Sequence, residues 1–310
     1  MPESAVSHGT VWAPTGPAGE QVRPHQLLAL RGLLESMGRV VVAFSGGADS
    51  AFLAWVATDA LGPDRVVCAT AVSPSLAEAE LADCRSLAAE WHLNAVEVLT
   101  DELADPAYAV NDGNRCYSCK TALMEALAPV ARRLGDEPPC RPAQIVLGVN
   151  LDDLGDHRPG QVAAAQLGGR FPLVETGLSK ADVRAWSRRL GLRTWDKPAA
   201  ACLSSRIPYG TPVTLATLRS VADAEAGLRA LGFRQLRVRH YGDTARIEVP
   251  TSDLPAVIER REEVSAVVHT AGYRYVTLDL DGFRTGNLND ALRRPGGPHG
   301  RRAGWEEGRG

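Results

Sequence analysis

Two sets of residues in this chain are suited to chemistry: a glycine-rich loop and a small group of cysteines. The loop is Ser45-Gly46-Gly47-Ala48-Asp49-Ser50, which follows the apolar run VVVAF. A strand that ends in this loop and feeds a helix aims its backbone N–H groups at one spot. The helix N-terminus adds partial positive charge there, as a phosphate requires. Gly46 and Gly47 let the backbone approach closely, Ser45 and Ser50 can donate hydroxyl hydrogen bonds, and Asp49 can hold Mg²⁺ against the phosphates. No Gly-Lys-[Ser/Thr] follows, so the loop is not a Walker A motif. It also lacks the third glycine of a dinucleotide fingerprint.

The cysteines divide by context. Cys116 and Cys119 form a Cys-x-x-Cys at the start of a helix, in RCYSCKTAL. That spacing can put two thiolates on one metal or cluster, and it equally describes two helix-terminal thiols without a ligand. Cys202 lies in WDKPAAACLSSRIPYG, followed by Ser205 and Arg206. A nearby arginine can lower a thiol's pKa and expose a reactive thiolate, whereas a cysteine among alanines is otherwise a small buried residue. Cys68, Cys84 and Cys140 carry no such context and read as structural. A third chemical stretch is GVNLDDLGDHRPG, residues 148–160. It sits at the C-terminal end of an expected strand, where open α/β sheets place ligands. Asp152, Asp153, Asp156 and Arg158 there can bind a metal or orient a substrate, or form a solvated acidic loop.

The elements that must position these residues follow from the hydrophobic pattern. Up to about residue 206, strands alternate with helices: helix His25–Met37, strand Arg39–Phe44, an apolar helix after the loop, strand 66–72, helix Leu76–Trp91, strand NAVEVLT, helix TALMEALAPVARRLG ended by Gly135, and strand QIVLGVN. This alternation implies a parallel sheet with helices on both faces. Beyond residue 206 the pattern changes to α+β. Thr214 caps a helix closed by Gly232, and QLRVRHYGDTARIEVP reads as a hairpin turning at YGDT. Helix Asp253–His269 and strand Tyr273–Leu280 complete it. In the hairpin, Arg237 and Arg239 share one face by the period of two, and Arg246 and Glu248 can share it from the partner strand. Such a face is ordinarily solvated. Residues 1–23 and 291–310, rich in Gly, Pro and other small or charged residues, read as disordered tails. They flank expected domains at 24–206 and 207–290.

Bulk properties narrow the partners. The 310 residues include 45% hydrophobic and 23% charged, with a formal net charge of −3, so there is no global attraction to nucleic acid or to an acidic membrane. No apolar run approaches the ~20 residues of a membrane helix, and the N-terminus has no basic start or apolar core of a secretory signal. The expected location is the cytoplasm, with thiols reduced.

Taken together, FSGGADS, RCYSCK, GVNLDDLGDHRPG, LSKADVRAWSRRLGL, WDKPAAACLSSRIPYG and DGFRTGNLN resemble the LarE family in order and spacing, over roughly residues 25–290. FSGGADS by itself resembles the PP-loop of ATP pyrophosphatases. The resemblance implies an α/β PP-loop domain with a smaller C-terminal α+β domain. It also implies an ATP- and Mg²⁺-dependent sulfur transferase acting on pyridinium-3,5-biscarboxylic acid mononucleotide, in nickel-pincer nucleotide synthesis. ATP would bind at Ser45, Gly46, Gly47, Asp49 and Ser50. Ser205, Arg206, Arg237, Arg239 and Arg284 would hold the substrate. Sulfur would come sacrificially from Cys202, or through a 4Fe-4S cluster on Cys116, Cys119 and Cys202 fed by a sulfide donor. Glu225 and Glu248 match acidic, metal-binding positions, and members form homo-oligomers. The competing readings are a PP-loop tRNA thiolase, which needs a basic RNA surface this chain lacks, an ammonia-using amide ligase, which needs no reactive cysteines, and a regulatory ATP-binding module.

Overall fold

The computed structural model describes residues 23–135, 142–155, 158–198 and 201–284. Both expected tails, apart from Arg23, lie outside the described residues, as do Cys140 and Asp156.

The first half alternates as its pattern predicts. In order it contains α1 (Pro24–Met37), β1 (Val40–Ala43), α2 (Ala48–Leu61), β2 (Val66–Val72), α3 (Glu78–Glu90), β3 (Ala95–Leu99), α4 (Pro106–Ala109), α5 (Arg115–Leu134) and β4 (Gln144–Leu147). Then come α6 (Pro159–Gln166), α7 (Pro172–Glu175) and α8 (Lys180–Arg189). The four strands form one parallel sheet in the order β3-β2-β1-β4. Successive strands run outward from β1 to β3, and the chain then crosses to place β4 on the other side of β1. That reversal opens a crevice at the carboxyl ends of β1 and β4.

The central strands are apolar on both faces because both are covered. Val40, Val42, Phe44 and Cys68 pack with Phe52, Leu53 and Val56 of α2, Leu87 of α3 and Trp186 of α8. Val41, Val67, Ile145 and Leu147 pack with Leu123, Met124 and Leu127 of α5 and Ala164 of α6. Helix α5 begins six residues before the expected TALMEAL start, so the Cys-x-x-Cys occupies its first turn.

The second half contains α9 (Leu215–Ala230), β5 (Arg237–Tyr241), β6 (Thr244–Glu248), α10 (Leu254–Glu259), α11 (Arg261–Thr270) and β7 (Tyr275–Leu278). Thr214 caps α9 with a full capping box shared with Thr217. β5 and β6 pair antiparallel and β7 joins β6 in parallel. One face of this sheet, through Val238, Ala245 and Ile247, packs with Leu228, Val257, Val264 and Val268 of the helices. The single helix expected over Asp253–His269 is two. At Arg260 the backbone leaves helical geometry (φ −100°, ψ 23°), and its side chain turns back to donate to the Leu231 carbonyl at 2.6 Å. Among the described residues no helix is long and apolar enough to cross a membrane.

Candidate functional site

The loop after β1 stands at the crevice. Gly46 has φ +65°, a conformation that L side chains rarely adopt, and a methyl there would also meet the Cys84 sulfur at 2.9 Å. Gly47 is the N-cap of α2, with Ala48, Asp49 and Ser50 in the first turn. Ser50 is the loop's internal brace. Its hydroxyl accepts from the Ser45 N–H at 3.3 Å, shares a 3.0 Å hydrogen bond with the Ser45 hydroxyl and donates to the Gly47 carbonyl at 3.2 Å. Ser45 is exposed and Asp49 half-buried.

The segment after β4 is fitted against this loop. A methyl on Gly148 would stand 2.7 Å from the Ser50 nitrogen and 2.8 Å from the Asp49 carbonyl carbon. Only a missing side chain lets β4 end there. Two residues on, buried Asn150 donates from Nδ2 to Asp49 Oδ1 at 3.0 Å, while Asp153 Oδ2 accepts from its N–H at 3.2 Å. Asp153 also pairs with Arg158 at 2.8 Å, and Asp152 accepts from the Lys180 N–H at 2.6 Å. Burial, with a smaller contribution from Asp153, pushes the Asp49 carboxyl above its ordinary range. A cation beside it would reverse that. Asn150 was not named as a site residue from the sequence; its signal was its place as the last residue of the expected strand QIVLGVN, inside the stretch GVNLDDLGDHRPG.

The cysteine segments meet at the same edge of the sheet. The Leu203 N–H donates to the Ser75 carbonyl, just past the end of β2, at 2.9 Å, which anchors the chain beside Cys202. Ser75 in turn donates to buried Glu102, past β3, at 2.5 Å. Tyr108 of α4 and Ser204 share a 2.5 Å hydrogen bond. Asn111, buried and with φ +58°, donates from Nδ2 to the carbonyls of Ile207, Pro208 and Thr211 at 3.3, 2.8 and 2.8 Å. Arg115 donates to Asn111 Oδ1 and, at 2.9 Å, to the Ser204 carbonyl. This strap binds the first turn of α5 to residues 203–211, bringing Cys116 and Cys119 near Cys202. Burial pushes the Cys116 thiol up and the Cys119 thiol up to about 12, with Cys202 the second contributor in each case. Cys116 and Cys202 are exposed. Cys68 is buried, its thiol pushed up to about 12, and Cys84 is buried beneath Gly46.

The charged face of the second sheet is not solvated. Arg237, Arg239 and Glu248 are buried, and the face turns toward the 203–206 segment. Register places Arg237 opposite Glu248 and Arg239 opposite Arg246. Arg239 binds Glu248 through two parallel contacts of 3.0 Å and donates to the Ser205 carbonyl at 2.7 Å. Arg206 binds Glu225 at 2.8 and 3.2 Å, and Glu225 also accepts from Arg229 at 2.8 Å and from the Val238 N–H at 3.1 Å. Both fully buried carboxylates thus spend their oxygens on guanidinium and backbone donors, which aims the arginines. Arg237 lies over the Phe283 ring at 4.4 Å and donates to the Arg284 carbonyl at 3.1 Å. Burial, then Arg206 and Arg239, depress its pKa. The Arg284 guanidinium itself is exposed and pairs with Asp281 at 3.0 Å. Among the described residues, no three His, Cys, Asp or Glu side chains are gathered closely enough to hold a metal ion.

Parallel sheet order, crevice and Ser-Gly-Gly-x-Asp-Ser loop define an α/β protein of the PP-loop class. No family model matches the chain. It is 38% identical over 259 residues to the pyridinium-3,5-bisthiocarboxylic acid mononucleotide synthase of Lactiplantibacillus plantarum, a match that covers 84% of this chain and 92% of that protein. It is 44% identical over 266 residues to an uncharacterized protein of Synechocystis, covering 85% and 96%. A third relative, an uncharacterized protein of Methanocaldococcus jannaschii, is 25% identical over 247 residues, covering 80% and 91%. The chain belongs to the LarE family.

Proposed function

We propose that this protein inserts sulfur into pyridinium-3,5-biscarboxylic acid mononucleotide at the expense of ATP, toward the bisthiocarboxylate named for its Lactiplantibacillus plantarum relative. The observation that carries the reading is the meeting of the Cys202 segment with the loop edge of the sheet, through the Leu203–Ser75 hydrogen bond, while the Asn111–Arg115 strap brings up Cys116 and Cys119. A PP-loop alone serves many acyl activations; three thiols on segments anchored at the same edge of the sheet point to sulfur as the acceptor nucleophile.

A carboxylate is a poor electrophile. Its oxygen attacks the α-phosphorus of ATP, the bond to the β-phosphate oxygen breaks, and pyrophosphate leaves. A sulfur nucleophile then attacks the acyl carbon and AMP departs with the C–O electron pair. Sulfide gives the thiocarboxylate directly. The Cys202 thiolate instead gives a thioester, whose Cβ–S bond then breaks as a base takes the Cys202 Cα proton, releasing the thiocarboxylate and leaving dehydroalanine. The loop N–H groups at the start of α2 receive the β,γ-phosphates. Asp49 would hold Mg²⁺: its carboxylate accepts from the neutral amide of Asn150, and the nearby charges of Lys180 and Arg184 do not offset the effect of burial. Arg206 and Arg239, set by Glu225 and Glu248, together with Arg237, supply the charge that a phosphorylated dicarboxylate needs, with Ser205 and Arg284 at the margin.

Two sulfur sources fit the thiols. Cys202 can surrender its own sulfur once. A 4Fe-4S cluster on Cys116, Cys119 and Cys202 would instead supply replaceable sulfide. Three thiols from two adjoining segments fit such a cluster by type and number; holding it requires their side chains to close together, since they are not so gathered. The test is pyrophosphate release with the biscarboxylate nucleotide, with and without tRNA, after anaerobic reconstitution with iron and sulfide. Release with the nucleotide, absorbance near ~400 nm lost in Cys116→Ala, and turnover beyond one per chain support the cluster route. One turnover with loss of H₂S from Cys202 supports the sacrificial one. Release that requires tRNA overturns the substrate assignment.

A further inference from the structure

Lys197 has the contacts of a control point on the glycine loop. It is largely buried, its side chain 17% exposed, and Nζ makes three contacts: Gly46 O at 3.1 Å, Glu80 Oε2 at 2.9 Å and Asp83 Oδ2 at 2.6 Å. An ammonium has three hydrogens, so these contacts use every donor. The two carboxylates come from α3, beneath the loop. They hold the ammonium charged, raising its pKa against the opposing effect of burial. Asp83 is itself fixed by Arg193 at 2.8 Å, and Arg193 by Glu90 at 2.8 Å.

The carbonyl that Lys197 holds belongs to the Gly46–Gly47 peptide. A trans peptide is planar, with its C=O and N–H pointing in opposite directions. Fixing the Gly46 oxygen toward Lys197 therefore fixes the Gly47 N–H away from it, at the N-cap of α2. Gly46 at φ +65° is the residue whose freedom permits that peptide orientation. Without the ammonium, the Gly46–Gly47 plane can turn over, which would present an oxygen where a phosphate needs a hydrogen.

We infer that Lys197 is a positioning residue for nucleotide binding: it acts on the phosphates through the Gly46–Gly47 peptide plane and not by touching them. This rests on the ATP reading above. It makes a prediction opposite to that of a phosphate-contacting lysine. Removing an acidic anchor would free a phosphate-contacting ammonium and tighten binding. For a positioning lysine it lets the ammonium leave Gly46 and weakens binding.

The experiment compares wild type, Lys197→Met, Lys197→Gln and Asp83→Asn by calorimetric titration with Mg·ATP, pyrophosphate and, separately, the biscarboxylate nucleotide. Expected are roughly tenfold weaker ATP and pyrophosphate binding in Lys197→Met and a smaller loss in Asp83→Asn, the size of one charge-assisted contact. Biscarboxylate nucleotide binding should be unchanged, and amide exchange over residues 45–50 should be faster without any ligand. Tighter ATP binding in Asp83→Asn, or wild-type affinity and exchange in Lys197→Met, overturns the inference. Asp83→Asn changes a partly exposed residue and tests the idea even if the lysine variants do not fold. Wild type that binds neither ATP nor pyrophosphate is a separate result: it removes the nucleotide reading itself and the inference with it.

Discussion

The two sheets carry their positive charge in different materials. At the β1 edge it is backbone: N–H groups at the start of α2, presented by glycines and held from behind by Lys197 and Asn150. At the second sheet it is guanidinium: buried Arg206 and Arg239, aimed by Glu225 and Glu248, and buried Arg237, which lies over the Phe283 ring and donates to the Arg284 carbonyl. The first kind costs little desolvation but tolerates no added atoms. The second tolerates local shifts but depends on every buried charge keeping its partner, since burying an ion alone costs several kcal/mol. The difference predicts how each region fails: the loop through shape, the arginine face through charge balance.

That contrast can be broken most sharply at the thiol between the two regions. Cys202→Ala should abolish sulfur transfer completely while pyrophosphate release continues, measured by product mass and a coupled pyrophosphate assay. Loss of both would mean that activation and transfer are not separate tasks. Next in size is Glu225→Gln. Removing the charge of this fully buried carboxylate, which leaves Arg206 buried without its partner, should cost about 3–5 kcal/mol, read as a lowered denaturant midpoint. A variant as stable as wild type would show that the arginines do not need it. Arg237→Ala should be milder to the fold but should weaken biscarboxylate nucleotide binding by about 1.5–3 kcal/mol, with ATP affinity untouched; the reverse pattern would swap the tasks of the two sheets.

The smallest effect is a pH shift at Asp49. Burial raises its folded pKa above the ordinary value of 3.8. Its contribution to stability is therefore present below the unfolded pKa and lost as pH rises through the folded one. Asp49→Asn should stabilise the ligand-free protein at neutral pH while removing pyrophosphate release. Asn150→Ala removes a hydrogen bond that favours the ionised carboxylate, so the acid limb of the pH–rate profile should move upward. An unmoved limb would mean that Asp49 is not the group titrating there.

Much of this was legible in residue order. The loop, the alternation around it, the Thr214 cap and the YGDT hairpin all came from local pattern, because each depends on neighbours within a few positions. The shared face of Arg237 and Arg239 was legible for the same reason. What covers that face was not. Its burial depends on the 203–206 segment, some 30 residues away in sequence, and alternation says only that a face is polar. Arg115, Asn111 and Lys197 were illegible as site residues. Each is an ordinary polar residue in sequence, and its meaning comes from carbonyls brought to it by long-range folding. The break at Arg260 was missed because the apolar period continues through it.

Gly148 has a consequence of a different kind. Its backbone angles do not demand glycine. Its requirement is room, because a methyl would press on the backbone of Asp49 and Ser50. In a selection for function, substitutions there would fail as completely as those at a reacting group. A survey of mutational tolerance would therefore rank Gly148 among the catalytic positions, on the width of one carbon atom.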